Sequence, residues 1–312
     1  MKNQNIKLFV GISGQDVSVP VYEYGQGKPI VYIQGGVHGG EVTYFILHKL
    51  AQYLSQVESR LTGTVTIVPL CNPIAWNQRI YYYTVGKFDL YKGKDWNRSY
   101  PGADTTLSAR ISKRIFDIAS RHSIVIDLHT ARDSKPYAIF GRNESREIIR
   151  TLGIKYNYFI DFTSTVGEQF AGTLNYASAK KNILETTIEC GGHDTYDENA
   201  IQEVFHSLQK LIDRYVLAKQ PSKTSRKQYM FSNIKTLYAP TSGFVQFNIK
   251  PHDKCHAGDE IATIYTSHSL HKTMSYLAPY DGLVFELPRT TVVWEGDELV
   301  RIIPKQSIIK LK

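Results

Sequence analysis

A glycine-rich segment, residues 35–41 (Gly-Gly-Val-His-Gly-Gly-Glu), constrains the fold of this chain more than any other stretch. It follows the apolar run Pro29–Gln34, which is typical of a buried strand, and precedes Val42–Leu61, whose apolar residues recur at helical spacing. The segment is therefore predicted to be a turn between the carboxyl end of a strand and a helix, where open α/β sheets bind their ligands. His38 and Glu41 point the same way at such a turn, and both are common metal ligands. We interpret them as two of the three protein ligands of a zinc site.

The chain continues in a repeating strand–helix order, which predicts an α/β domain over residues 1–219. The first 25 residues alternate weakly and are expected to form a strand pair at the edge of the sheet. Further strands are predicted at Ile30–Gln34, Val65–Leu70, Ile124–Leu128, Tyr137–Phe140, Tyr156–Ile160 and Ile183–Glu189. Helices are predicted at Val42–Leu61, Leu107–His122, Ser145–Leu152, Thr173–Lys180 and Glu198–Leu217. Residues 71–106 are interpreted as a long functional loop.

The C-terminal part of the chain has a different pattern. Residues 220–230 are rich in Pro, Ser and Lys and are interpreted as a linker, and residues 231–312 contain short alternating runs with an internal repeat. Residues 243–261 are echoed by residues 282–299, which predicts a small all-β module that resembles the barrel-sandwich fold of biotinyl and lipoyl carrier domains. Lys272 lies between the two halves but lacks the spacing and neighbours of a modified lysine. We therefore expect a structural module, or one that covers the active site.

Composition excludes several classes of protein. The three cysteines show no CxxC spacing, so neither a disulfide framework nor a cysteine zinc cluster is expected. No apolar signal core or membrane span is recognisable, and we expect a cytoplasmic protein without a membrane partner. The net charge is +8, but the densest basic stretch, Lys219–Lys227, carries no interleaved aromatic residues, so nucleic acid is not the expected partner.

A hydrolytic zinc site needs three protein ligands and one open position. His129 ends the apolar strand that begins at Ile124, and we predict that it is the third ligand, to one Zn²⁺ per chain. Two neutral imidazoles and one carboxylate leave a positive site, which would lower the pKa of bound water from about 15.7 to roughly 7. Asp127 lies on the same strand face as His129 and is expected to orient a ligand.

Zinc hydrolysis also needs a general base and groups that hold the substrate. Glu189 ends another strand, at a glycine turn, and is the predicted base, although a carboxylate bonded only to backbone amides is the competing interpretation; Glu185 is the next candidate, but it lies within the strand. Asn97 and Arg98 are adjacent and suit a substrate carboxylate, because a guanidinium binds it in a bidentate manner.

Five motifs occur in the order found in the succinylglutamate desuccinylase/aspartoacylase family, and the chain resembles that family over nearly its whole length. The motifs are His38-Gly39-Gly40-Glu41, Asn72-Pro73 to Arg79, Asp95 to Arg98, Asp127-Leu128-His129-Thr130 and Glu189-Cys190-Gly191-Gly192. The resemblance implies a mixed sheet flanked by helices, like that of zinc carboxypeptidases. It also implies zinc on the three predicted ligands, Glu189 as general base, Arg79 polarising the scissile carbonyl, and Asn97 with Arg98 binding a substrate carboxylate. Trp96 and Tyr100 replace the Leu and Phe that family members often have.

The resulting hypothesis is a zinc amidohydrolase that removes an acyl group from an N-acyl amino acid or a similar small carboxylate. The alternatives are a zinc carboxypeptidase that acts on a peptide C-terminus and a non-catalytic binding protein. The cluster His252, Cys255 and His256 lies in a turn of the repeat, and we interpret it as structural rather than as a second metal site. The sequence does not identify the acyl group, and it is compatible with a homo-oligomer.

Overall fold

The computed structural model describes residues 1–80, 83–218, 227–266, 270 and 273–311. The chain divides into two compact units. The first contains residues 1–130 and 136–228, and the second contains residues 131–135 and 229–312. Most of the predicted linker (residues 220–226) and Lys272 lie outside the described residues, and the domain boundaries drawn from the sequence stay a prediction.

The first unit is built on a mixed sheet, as predicted. Its strands are β1 (Lys2–Val10), β2 (Asp16–Tyr24), β3 (Pro29–Gln34), β4 (Thr64–Val68), β5 (Arg79–Ile80), β6 (Tyr83–Thr84), β7 (Phe88–Asp89), β8 (Lys94–Asp95), β9 (Ile124–Ala131), β10 (Tyr137–Phe140), β11 (Tyr156–Phe159) and β12 (Leu184–Gly192). Eight of them pair in the order β1-β2-β4-β3-β9-β12-β10-β11. β3 is parallel to both β4 and β9, whereas β1–β2, β2–β4 and β10–β12 are antiparallel. Consequently, the strands that lead to His38 and to His129 are neighbours.

Helices flank this sheet and bury its apolar residues. They are α1 (Thr43–Val57), α2 (Pro73–Asn77), α3 (Leu107–Ala119), α4 (Arg146–Leu152), α5 (Thr165–Glu168), α6 (Leu174–Lys180) and α7 (Glu198–Tyr215). The Thr106 hydroxyl accepts a hydrogen bond from the Ala109 amide at 3.3 Å and caps α3 where the sequence predicts a start. α3 packs Ile115 and Phe116 into a cluster with Val125 and other strand residues, while α7 packs against α1 and α4. Within the described part of the chain, no helix is both long enough and apolar enough to cross a lipid bilayer.

The interpretation of residues 71–106 as one long loop needs correction, because the segment contains regular structure. α2 begins with Pro73, which suits a first helical position, and the Asn72 side chain caps it. Two short hairpins follow, β5–β6 and β7–β8, and a 3₁₀ turn covers Trp96–Arg98. Elements of two to five residues carry too little periodic signal to be recognised in a sequence.

The second unit is all-β, as predicted. Its strands are β13 (Tyr229–Phe231), β14 (Lys235–Tyr238), β15 (Gly243–Phe247), β16 (Lys254–Cys255), β17 (Glu260–Tyr265), β18 (Thr273–Leu277), β19 (Gly282–Glu286), β20 (Val292–Val293), β21 (Glu298–Pro304) and β22 (Ile309–Lys310). Two antiparallel sheets, β14-β21-β19-β16 and β18-β17-β15-β20, share one apolar core. The repeat appears in two matching turns: the carboxylates of Asp259 and Asp297 each accept a hydrogen bond from the amide three residues earlier, at 2.7 and 2.8 Å.

Candidate metal centre and active site

The glycine-rich segment forms the predicted tight turn between β3 and α1. The Gly39 amide donates a hydrogen bond to the Gly86 carbonyl at 3.1 Å, and Gly40 has φ +82°, a left-handed conformation that suits glycine. A Cβ added at Gly39 would lie only 2.3 Å from the Ala75 carbonyl oxygen. The turn is therefore held closely by α2 and by the segment that follows it, and it fixes the positions of His38 and Glu41.

His38, Glu41 and His129 come together as the sequence predicts. Glu41 Oε1 lies 2.9 Å from His38 Nδ1 and 2.7 Å from His129 Nδ1, and the centroids of the two imidazole rings are 5.0 Å apart. One ligand atom from each residue falls within 4.8 Å of the others, and all three residues are buried. Two imidazole nitrogens and a carboxylate oxygen form a donor set that suits a divalent ion such as Zn²⁺, so these residues fit the metal that the sequence implies.

The surroundings of Glu41 and Asp95 favour the ionised form of these two carboxylates. Burial by itself would raise the pKa of Glu41, but the adjacent His129 and His38 outweigh it and lower that pKa below its ordinary value. Burial likewise opposes the ionisation of Asp95, yet its hydrogen bond to His38 and the charge of Lys87 hold the pKa of Asp95 below its usual range. For His129, burial favours the neutral imidazole, but Asp127 and Glu41 raise its pKa well above the ordinary value.

Each histidine is held through its second ring nitrogen by a carboxylate. His129 Nε2 lies 2.9 Å from Asp127 Oδ2, which is the contact predicted from their positions on one strand. His38 Nε2 lies 2.9 Å from Asp95 Oδ1. Sequence reasoning missed this role of Asp95, although the residue begins one of the quoted motifs, because nothing local indicates that β8 approaches His38. Both contacts leave Nδ1 facing Glu41, which is the arrangement that metal-binding histidines commonly show.

The predicted substrate-binding residues, Asn97 and Arg98, and the predicted polarising residue, Arg79, lie at different depths. Asn97 is buried: its Nδ2 lies 3.1 Å from His129 Nε2, and its Oδ1 accepts a hydrogen bond from the Leu174 amide at 3.4 Å. The Arg98 guanidinium is half-buried and donates a hydrogen bond to the Asn97 carbonyl at 2.8 Å. Arg79 is exposed on β5, and within the described ranges no ion pair involves its guanidinium. Asn97 is therefore adjacent to the metal centre, whereas the roles of all three residues toward a substrate stay predictions.

Trp96 and Tyr100 belong to the apolar core rather than to an open pocket. Both side chains are buried within the cluster that includes Ile115 and Phe116. Trp96 and Tyr100 therefore contribute to the packing beneath the site.

Glu189 lies near the end of β12, the strand next to β9 in the sheet order, and is half-buried. Glu185 is four residues earlier, about 13 Å along an extended strand. It accepts hydrogen bonds from the Gly141 amide at 3.1 Å and from the Ser145 hydroxyl at 3.4 Å. Of the two candidates, only Glu189 is on the part of β12 that continues into the glycine turn.

His193 was not singled out from the sequence. Its Nδ1 lies 3.0 Å from the Thr130 hydroxyl, beside a predicted ligand, and its Nε2 would be 2.6 Å from a Cβ added at Gly40. The neighbouring Asp194 amide donates a hydrogen bond to the Gly40 carbonyl at 2.9 Å. The turn after Glu189 and the turn before Glu41 are thus in direct contact. The position of His193 directly after the glycine pair Gly191-Gly192 is the signal that could have indicated it.

Among the described residues, no second group of three metal-ligating side chains gathers in this way. In the second unit, His256 is exposed and faces Asp259, with 3.5 Å between Nδ1 and Oδ2, whereas Cys255 is buried in the apolar core. The interpretation of the His252, Cys255 and His256 cluster as structural stays a prediction.

Comparisons with known proteins point to one family. Residues 28–215 match the model of the succinylglutamate desuccinylase/aspartoacylase catalytic domain. The fold is similar to that of a succinylglutamate desuccinylase/aspartoacylase family protein from Shewanella amazonensis, with a TM-score of 0.85 and 22% identity over 99% of this chain and 100% of the other. It is also similar to the ectoine utilization protein EutE (DoeB) from Ruegeria pomeroyi in its product-bound form, with a TM-score of 0.80 and 17% identity over 96% and 94% of the two chains. No curated protein sequence matches this chain.

Proposed function

Because the chain belongs to the succinylglutamate desuccinylase/aspartoacylase family, we propose that it is a zinc-dependent amidohydrolase that removes the acyl group from an N-acyl amino acid or a similar small carboxylate. The observation that carries this proposal is the buried group His38, Glu41 and His129, with Glu41 Oε1 within 2.9 Å of both imidazoles. A buried cluster of two histidines and one carboxylate, each histidine backed by a further carboxylate, is costly to keep without a cation.

These three residues would hold the zinc ion through Nδ1, Oε and Nδ1. When bound, zinc would supply a Lewis acid that polarises the scissile carbonyl and lowers the pKa of water. The chain's own groups carry the proton and the charge. The Glu189 carboxylate accepts a proton from the attacking water and delivers it to the leaving amine nitrogen, a task that suits a half-buried carboxylate at the end of a strand.

The remaining groups bind and orient the substrate. The Arg79 guanidinium is exposed and permanently charged, so it is available to stabilise the oxyanion that develops on the carbonyl oxygen. Arg98, with the buried Asn97 beside it, would receive the substrate carboxylate through a charge-assisted hydrogen bond. A small substrate with a carboxylate next to its amide would engage all of these groups at once.

The decisive experiment replaces Glu189 by Gln. This substitution keeps the size of the side chain but removes the proton acceptor, so kcat on N-acyl amino acids should fall by about 10²–10⁴-fold while zinc remains bound. Glu185→Gln on the same strand is the matched control and should retain activity, because Glu185 bonds to Gly141 and Ser145 instead. Activity should also disappear with a chelator and return with Zn²⁺.

The substrates in this assay should be a panel of N-acetyl and N-succinyl amino acids, with short peptides alongside. Turnover of the N-acyl amino acids alone would support the proposal, whereas turnover of peptides alone would identify a carboxypeptidase. Full activity of the Glu189→Gln variant would show that the assigned base is wrong, and a protein that never binds zinc would remove the basis of the proposal.

A further inference from the structure

Gln34 is a polar side chain at the end of β3 that the proposed reaction does not use. It is completely buried, and the preceding residues of the strand, Val31, Tyr32 and Ile33, are buried as well. Placing an amide in such an apolar position is unfavourable unless its donors and acceptor are satisfied. The partners of Gln34 therefore explain why the residue is tolerated there.

The sheet register brings Gln34 next to Asp127, since the two residues are paired across β3 and β9. Gln34 Nε2 donates a hydrogen bond to Asp127 Oδ1 at 2.9 Å and lies 3.4 Å from the Tyr100 hydroxyl. The Tyr32 hydroxyl donates a hydrogen bond to Gln34 Oε1 at 2.9 Å. An ionised carboxylate can only accept, so the amide nitrogen of Gln34 must face Asp127. The orientation of the Gln34 amide is thus fixed at both of its ends.

His129 Nε2 has two polar neighbours. The second oxygen of Asp127, Oδ2, lies 2.9 Å from His129 Nε2, and Asn97 Nδ2 lies 3.1 Å from the same atom. When Nε2 carries a proton it donates to Asp127, and when it carries none it accepts from Asn97. The metal needs a free lone pair on Nδ1, and a neutral imidazole offers that only when its proton is on Nε2. Asp127 must therefore hold its position for His129 to serve as a ligand.

We propose that Gln34 is a positioning residue that fixes the Asp127 carboxylate, and that through Asp127 it keeps the proton of His129 on Nε2 and reserves Nδ1 for the metal. The connected groups are Tyr32, Gln34, Asp127 and His129, all of them buried. The part of this inference that concerns metal affinity rests on the proposed function. The part that concerns the hydrogen bond between His129 Nε2 and Asp127 is independent of that function, because the bond forms between two protein side chains and involves no metal.

The test compares Gln34→Met with Gln228→Met in full-length protein. Methionine keeps the length of the glutamine side chain but cannot donate a hydrogen bond. Gln228 is also buried, and its Nε2 donates to the carbonyls of Ile149 and Ile154 at 2.8 and 3.1 Å, so the control loses comparable bonds without contacting a predicted ligand. Tyr32→Phe removes only the hydroxyl that orients Gln34, and it carries the test if Gln34→Met does not fold.

Two readouts distinguish positioning from a general loss of stability. In Gln34→Met, zinc affinity measured by chelator competition should weaken by about tenfold, the low end of what loss of an outer partner costs. The Nε2–H proton of His129, observed in ¹⁵N-histidine-labelled protein and assigned by its absence in His129→Gln, should exchange faster with solvent. Gln228→Met should change neither, and excess zinc should restore turnover by Gln34→Met with KM unchanged.

A wild-type zinc affinity or a wild-type Nε2–H exchange rate in Gln34→Met would overturn the inference, and so would equal effects in Gln228→Met. The two proposals fail separately. If the wild-type protein binds no zinc, the proposed function fails, while Nε2–H exchange in the metal-free protein still tests Gln34. If the wild type is an active zinc enzyme and Gln34→Met matches it in both readouts, only the role of Gln34 is wrong.

Discussion

Replacing Gly39 by Ala should damage the candidate metal centre, although glycine contributes no functional group. The added Cβ would lie 2.3 Å from the Ala75 carbonyl oxygen and 2.5 Å from Thr84 Cγ2, whereas an ordinary contact begins at 3.4 Å. The turn must therefore retreat by about 1 Å, and a displacement of that size at a reacting centre can cost about 100-fold in rate. Because His38 precedes Gly39 directly and Glu41 follows two residues later, both ligands would move with the turn.

The same overlap should lower stability, since forcing a methyl group into a packed site costs about 1–3 kcal/mol. Gly11→Ala is the matched control, because the nearest heavy atoms around its Cβ, in Gln15, are at 3.4 Å and neither glycine has a left-handed φ. The assay measures kcat/KM on an N-acyl amino acid and Tm by differential scanning fluorimetry for both variants. Wild-type values for Gly39→Ala would refute the reasoning that close packing of this turn positions the two ligands.

Two further predictions concern carboxylates. Asp95→Ala removes a charge-assisted hydrogen bond to His38 worth about 1.5–3 kcal/mol, so zinc affinity should fall by roughly 10–100-fold in a chelator titration. The control Lys87→Met removes only a more exposed partner of Asp95 and should leave the zinc affinity nearly unchanged. Equal zinc affinities for the wild type and Asp95→Ala would contradict a role of the Asp95–His38 contact in metal binding. Burial raises the pKa of Glu185 well above its ordinary value despite the Gly141 amide, the Arg142 charge and the Ser145 hydroxyl, so above about pH 4.3 the folded state binds a proton that the unfolded state has lost. The free energy of unfolding should then decrease as the pH rises, and Glu185→Gln should flatten that slope in urea unfolding between pH 5 and 8; an unchanged slope would show that Glu185 is not the cause.

The residues that contact the predicted metal ligands differ in how well the sequence predicts them. The contact between Asp127 and His129 follows from their spacing on one strand, because side chains two residues apart point to the same face. The contact between Asp95 and His38 joins residues 57 positions apart, and it depends on a two-stranded hairpin that has no recognisable periodicity. The pairing of Gln34 with Asp127 needs the register of two parallel strands, which a sequence does not contain explicitly.

The sequence by itself determined the α/β order, the β-rich C-terminal repeat and the three residues that gather as a potential metal site. Those features are local, since hydrophobic period, glycine turns and ligand types at strand ends can be read over short windows. The tertiary structure alone decided that Asp95 contacts His38, that Glu185 bonds to Gly141 and Ser145, and that residues 131–135, just after His129, belong to the second compact unit. These outcomes depend on the pairing of distant strands and on the packing of short elements, and both arise only when the whole chain has folded.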